Sequence, residues 1–197
     1  MTDLIARIDL MAVQAVNLFV DAVSQIPSAS WDAPSNLDGW SLRDLVGHAT
    51  GSTARIVALA EGAELWDGPS QPTEWTDDEP VRRLHVLAAQ LRDALPAADL
   101  DAIRPSPQGE VPLRRALCFP VADLAMHSWD VHRSLGRSVD LPPDLLAFCE
   151  SLVASVPEDI LRSPGRFGPA RTVPENSSPT ARLMGFLGRP VDGSVRG

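Results

Sequence analysis

Asp123 and His127 stand four residues apart in the stretch Asp123-Leu-Ala-Met-His127-Ser-Trp-Asp130. In an α-helix that spacing places both side chains on one face, with Cβ atoms roughly 5–6 Å apart, so a carboxylate and an imidazole can bind one ion. A similar phrase, Asp44-Leu-Val-Gly-His48, occurs earlier, and a histidine from that separate helix would supply the third ligand that a catalytic metal site usually needs. Two imidazoles and one carboxylate suit a divalent ion such as Zn²⁺ and leave a coordination position open for water or substrate. Asp130, three residues beyond His127, shares its stripe and is placed to orient an imidazole. His132 lies roughly 140° around the helix from His127 and points elsewhere. His85 has no acid at helical spacing. The Asp-to-His spacing equally describes a surface ion pair worth about 0.3–0.5 kcal/mol, so spacing alone leaves both readings open.

The elements that must position these residues are helices. From Asp3 to Gln25 the apolar residues recur at three- and four-residue steps, which predicts a long amphipathic helix closed by Ile26-Pro27. Ser41-Leu-Arg-Asp44 has capping-box spacing and opens a second helix running to about Glu61, with His48 in its second turn between the small residues Gly47 and Ala49. Asp44 is thereby explained as a cap. Residues 63–77, with Trp66 and Trp75, read as a loop that could shape a substrate pocket. Pro80 starts a third helix that Pro96 ends, and 97–112 reads as a second long loop. The fourth helix carries the Asp123–His127 motif and ends at Leu135-Gly136, with a kink or a restart expected near Phe119-Pro120. A fifth helix follows from Pro143 to about Ser155, and a short one from Pro179 to Leu187. No strand alternation and no glycine-rich phosphate loop is evident. The expected class is all-α: a four-helix bundle over residues 1–160, with residues 161–197 as a C-terminal extension packed on it, one domain overall.

Composition narrows the function. All 17 basic residues are Arg, scattered along the chain against 26 acids, for a formal charge of −9. Neither nucleic acid nor an anionic membrane is the expected partner. Apolar runs are too short for the ~20 residues that span a bilayer, and the N-terminus lacks the pattern of a signal peptide. Cys118 and Cys149 have no C-x-x-C spacing and read as buried thiols of a cytoplasmic protein. The absence of Lys beside abundant Ala, Arg and Asp fits a high-GC bacterial genome.

Three groups of residues in fixed order carry a family likeness. They are Gly39-Trp-Ser-Leu-Arg-Asp-Leu-Val-Gly-His48; Asp123-Leu-Ala-Met-His-Ser-Trp-Asp-Val131 with Leu135-Gly136; and Arg166-Phe-Gly-Pro-Ala170 with Leu187-Gly-Arg-Pro190. The chain resembles the actinobacterial mycothiol-dependent maleylpyruvate isomerase-like group of the DinB-like superfamily. That resemblance implies a DinB-like four-helix bundle, often zinc-bearing, whose relatives use the thiol mycothiol in isomerase or S-transferase chemistry. It implies a metal triad at His48, Asp123 and His127, with Asp123 where the family pattern carries the longer Glu. The isomerases also carry a separate α/β C-terminal domain, whereas a short tail follows residue 160, so maleylpyruvate isomerisation itself is not the expected activity.

The reading is therefore a metal-dependent transferase or isomerase in which Zn²⁺, or another divalent metal, activates a small-molecule thiol such as mycothiol against an electrophilic substrate. A homodimer is an open option for its assembly. The alternative is a non-catalytic DinB-like protein that binds a small ligand or partner in the same cleft without metal. Zinc hydrolysis is a weaker third option, because no H-E-x-x-H accompanies the ligands.

Overall fold

The computed structural model describes residues 5–63, 72–76, 78–106 and 109–191. The amphipathic N-terminal segment forms α1 (Ile8–Ser24), which buries Ile8, Met11, Val16 and Phe19 on one stripe. Helix α2 (Leu42–Ala60) begins with the expected capping box: the Ser41 hydroxyl accepts from the Asp44 amide at 3.1 Å, and the Asp44 carboxylate accepts from the Ser41 amide at 2.9 Å. A short α3 (Pro72–Trp75) precedes α4 (Pro80–Ala94), whose first residue is the proline that needs no amide donor there. Most of the expected loop at 63–77, including Trp66, lies outside the described residues.

The loop expected at 97–112 contains a hairpin instead. Strand β1 (Ile103–Ser106) pairs antiparallel with β2 (Gly109–Pro112), with Ile103 opposite Pro112 and Arg104 opposite Val111. Both strands hold a proline, Ile103 is exposed and β2 shows no alternation of buried and exposed residues, so the period that would reveal a strand in sequence is missing there. The turn of α5 (Leu113–Ala116) then leads into α6 (Cys118–Ser134). Pro120 sits in the first turn of α6, where an absent N–H breaks no helical bond, so the helix restarts and does not kink.

Helix α6 is buried almost all round from Val121 to Val131. It packs between α1 and α2, and α4 closes the bundle against the same two helices. Helix α7 (Pro143–Ala154) lies against α6. After the short α8 (Glu158–Leu161), the chain runs to α9 (Pro179–Phe186), which Ser178 caps by accepting from the Ala181 amide. The buried Thr180 hydroxyl accepts from the Leu141 amide at 3.0 Å and so ties α9 to the α6–α7 connection. Among the described residues no helix is long and apolar enough to cross a membrane.

Candidate metal centre

His48, in the second turn of α2, and the Asp123 and His127 face of α6 meet where these two helices pack. Each offers one ligand atom, and the three atoms lie within 4.8 Å of one another. Asp123 bridges the two imidazoles: its Oδ2 lies 3.7 Å from His48 Nε2 and its Oδ1 lies 3.4 Å from His127 Nε2. The Asp123 carboxylate thus faces both imidazoles. The two histidine rings stand edge to face, with centroids 5.0 Å apart.

The donor set fits a small divalent ion. Ligands at roughly 2.0–2.2 Å from a tetrahedral Zn²⁺ stand about 3.3–3.6 Å apart along the edges. The two distances to Asp123 run to different oxygens, and the three donor atoms, one from each residue, lie within 4.8 Å of one another, so closing on one ion takes a contraction from at most that separation. The Asp123 side chain is 33% exposed while His127 is only 5% exposed, so the cluster opens to solvent on the carboxylate side.

Several groups hold the cluster in place. The Ser52 hydroxyl, one turn along α2 from His48, donates to Asp123 Oδ2 at 2.8 Å. The ring of Trp40 packs against His48 with centroids 5.0 Å apart. Arg55, on the same side of α2, is half-buried and feels the charge of Asp123. Beneath His127, Asp130 accepts at Oδ2 from Nδ1 at 3.0 Å, which turns Nε2 toward Asp123 and His48. Asp130 is itself fully buried and is held by Asn36 Nδ2 at 3.2 Å and by Arg189 Nε at 3.1 Å from both carboxylate oxygens.

The charges reinforce one another. Burial disfavours an imidazolium at His127, but the charge and hydrogen bond of Asp123, joined by those of Asp130, outweigh it and raise its pKa to about 9. Burial likewise opposes ionisation of Asp123, yet His127, His48 and the Ser52 hydroxyl hold its pKa well below the usual carboxylate range. Asp130 also stays ionised, chiefly because the Arg189 guanidinium faces it.

Of the residues singled out by sequence, His48, Asp123 and His127 come together and Asp130 takes the orienting place. Asp44 serves as the cap of α2, His85 is exposed on α4, and His132 lies away from the cluster with burial lowering its pKa. Sequence reasoning missed Ser52, Asn36 and Arg189. Ser52 lies four residues after His48, a helical spacing that could have found it. Asn36 and Arg189 lie 94 and 59 residues from Asp130 and carry no local signal.

Two uncharacterised proteins of Mycobacterium tuberculosis, from strains CDC 1551 / Oshkosh and H37Rv, are each 28% identical over 190 residues, covering 92% of this chain and 98% of theirs. The fold is that of a mycothiol-dependent maleylpyruvate isomerase, whose crystal structure superposes with a TM-score of 0.58 at 17% identity over 76% of this chain and 69% of that one. A histidine-to-alanine mutant of that enzyme gives 0.59 at 16% identity over the same shares. The family model for the mycothiol maleylpyruvate isomerase N-terminal domain matches residues 13–132, from the middle of α1 to the end of α6 and therefore across all three cluster residues. The chain belongs to the mycothiol maleylpyruvate isomerase N-terminal domain family.

Proposed function

We propose that this protein is a metal-dependent enzyme that uses a low-molecular-weight thiol, mycothiol or a close analogue, in S-transfer to, or isomerisation of, a small electrophile. The observation that carries the reading is the convergence of His48, Asp123 and His127 from two helices onto one point, with a buried carboxylate behind His127. A divalent ion held there would promote deprotonation of a coordinating thiol near neutral pH.

The chain's own residues do the rest. Asp130 holds His127 with Nε2 presented to the cluster, and Ser52 fixes the rotation of the Asp123 carboxylate. Arg55 places a guanidinium beside that carboxylate and so moderates the local negative charge. Trp40 shields one side of His48 and leaves the exposed edge of Asp123 as the approach for thiol and electrophile.

A second reading has one observation in its favour. The Asp123 carboxylate accepts from the Ser52 hydroxyl and pairs with the His127 imidazole, a network of protein groups alone. A metal-free protein that binds a small ligand in the same cleft would keep that network. Turnover separates the two readings: zinc-reconstituted protein is mixed with mycothiol and a panel of electrophiles, and both loss of free thiol and conversion of the electrophile are followed, because isomerisation returns the thiol. Catalysed turnover that disappears in both His48→Ala and His127→Ala supports the enzyme. A zinc-loaded protein that leaves every thiol–electrophile pair at its uncatalysed rate overturns it in favour of the binding protein.

A further inference from the structure

We propose that Arg189, in the C-terminal tail, is a positioning residue for the His48, Asp123 and His127 cluster, acting through Asp130; the proposal rests on the metal-centre reading above. Asp130 is 0% exposed and can keep its charge only if cations and donors surround it. Arg189 Nε stands 3.1 Å from both of its oxygens, a symmetric contact that fixes the plane of the carboxylate as well as its charge. With that plane fixed, and with Asn36 on Oδ1, Oδ2 is committed to His127 Nδ1. The orientation of a residue on α6 thus depends on a side chain 59 positions later.

The tail is shaped to deliver that side chain. Helix α9 ends in a Schellman turn: the Gly188 amide donates to the Gly185 carbonyl at 2.9 Å and the Arg189 amide to the Met184 carbonyl at 3.0 Å. Gly188 takes φ +82 and lies so close to Gly168 that an added Cβ would stand 2.9 Å from backbone. Only glycine satisfies both demands. The ring of Phe167 then lies under the guanidinium, 5.3 Å from its carbon, and Arg189 is left 7% exposed. A surface anchor would need none of this. By linkage, ion binding at the cluster and docking of residues 166–190 must favour each other to the same degree.

The test uses the full chain with Arg189→Met, Asp130→Asn and the double variant Arg189→Met/Asp130→Asn, which buries no lone charge and so guards against a misfolded single variant. Two quantities are read: the exchange-protected His127 Nδ1–H proton in metal-free, ¹⁵N-histidine-labelled protein, and Zn²⁺ affinity by competition with a chelating dye. Arg189→Met is expected to lose the protected proton and to weaken Zn²⁺ by roughly 10–100-fold. The double variant should bind Zn²⁺ no more weakly than Asp130→Asn alone, because Arg189 acts only through that carboxylate. Wild-type affinity and an unchanged proton in Arg189→Met, or additive losses in the double variant, would overturn the proposal. If wild-type protein takes up no Zn²⁺ while the His127 proton still depends on Arg189, the positioning role stands and the metal reading falls.

Discussion

Raising pH should destabilise the metal-free protein through His127 over a definable window. Its pKa rises from 6.5 in the unfolded chain to about 9 in the fold, so the imidazolium stabilises the native state fully below pH 6.5. That contribution is lost as pH climbs through about 9. At roughly 1.4 kcal/mol per pH unit the difference amounts to about 3 kcal/mol, and allowance for the one-third exposure of Asp123 brings it to roughly 2–3 kcal/mol. For a chain of this size the melting temperature should fall by roughly 4–12 °C, at about 2–4 °C per kcal/mol. The assay is thermal melting in chelator at intervals from pH 6 to 9.5, with His127→Gln as the control. Burial also lifts Cys118 to about 11 and Cys149 to about 12, so their unfolded-state ionisation adds a further decline above about pH 9 in both proteins. The difference between wild type and control below that point isolates His127. A flat wild-type profile from pH 6.5 to 8.5, or the same slope in His127→Gln, would refute the electrostatic account of the cluster.

Other substitutions separate the scaffold from the site. Ser41→Ala removes the hydroxyl that accepts from the Asp44 amide, keeps the backbone amide that donates to the Asp44 carboxylate, and should reduce stability by about 1 kcal/mol in urea melts, with His48 retained in its turn and metal uptake unchanged. Thr180→Val strips the buried Leu141 amide of its acceptor and should lower stability by about 1–3 kcal/mol in urea melts. Gly188→Ala should both destabilise the fold, by about 1–3 kcal/mol for a residue forced into the left-handed region, and weaken Zn²⁺ binding by displacing Arg189. Unchanged Zn²⁺ affinity in a folded Gly188→Ala protein would separate the Schellman turn from the cluster.

Much of the bundle can be read from local spacing because helices advertise themselves locally. The three-and-four periodicity of α1, the capping box at Ser41 and Asp44, and the glycine stop at Gly136 each involve residues within one or two turns, and each has its expected place in the structure. The Asp123, His127 and Asp130 stripe is legible for the same reason. The hairpin at Ile103–Pro112 was not, since Ile103 is exposed and β2 does not alternate between a core face and a solvent face. Long-range partners were hidden more deeply. Asn36 belongs to a linker and Arg189 to a proline- and glycine-rich tail, and nothing within ten residues of either marks a buried carboxylate as its destination. The motif Leu187-Gly-Arg-Pro190 stands out in sequence, but the turn that swings Arg189 onto Asp130 exists only in three dimensions.

The claim at the centre of this account is that His48, Asp123 and His127 hold one divalent ion. Metal content of the protein purified without chelator, measured by mass spectrometry against protein concentration, addresses it directly. One equivalent of metal in the wild type, lost on either His48→Ala or His127→Ala while each variant keeps its helical spectrum, is the expected result. Substoichiometric metal in the wild type, together with a melting temperature that a strong chelator leaves unchanged, would contradict it.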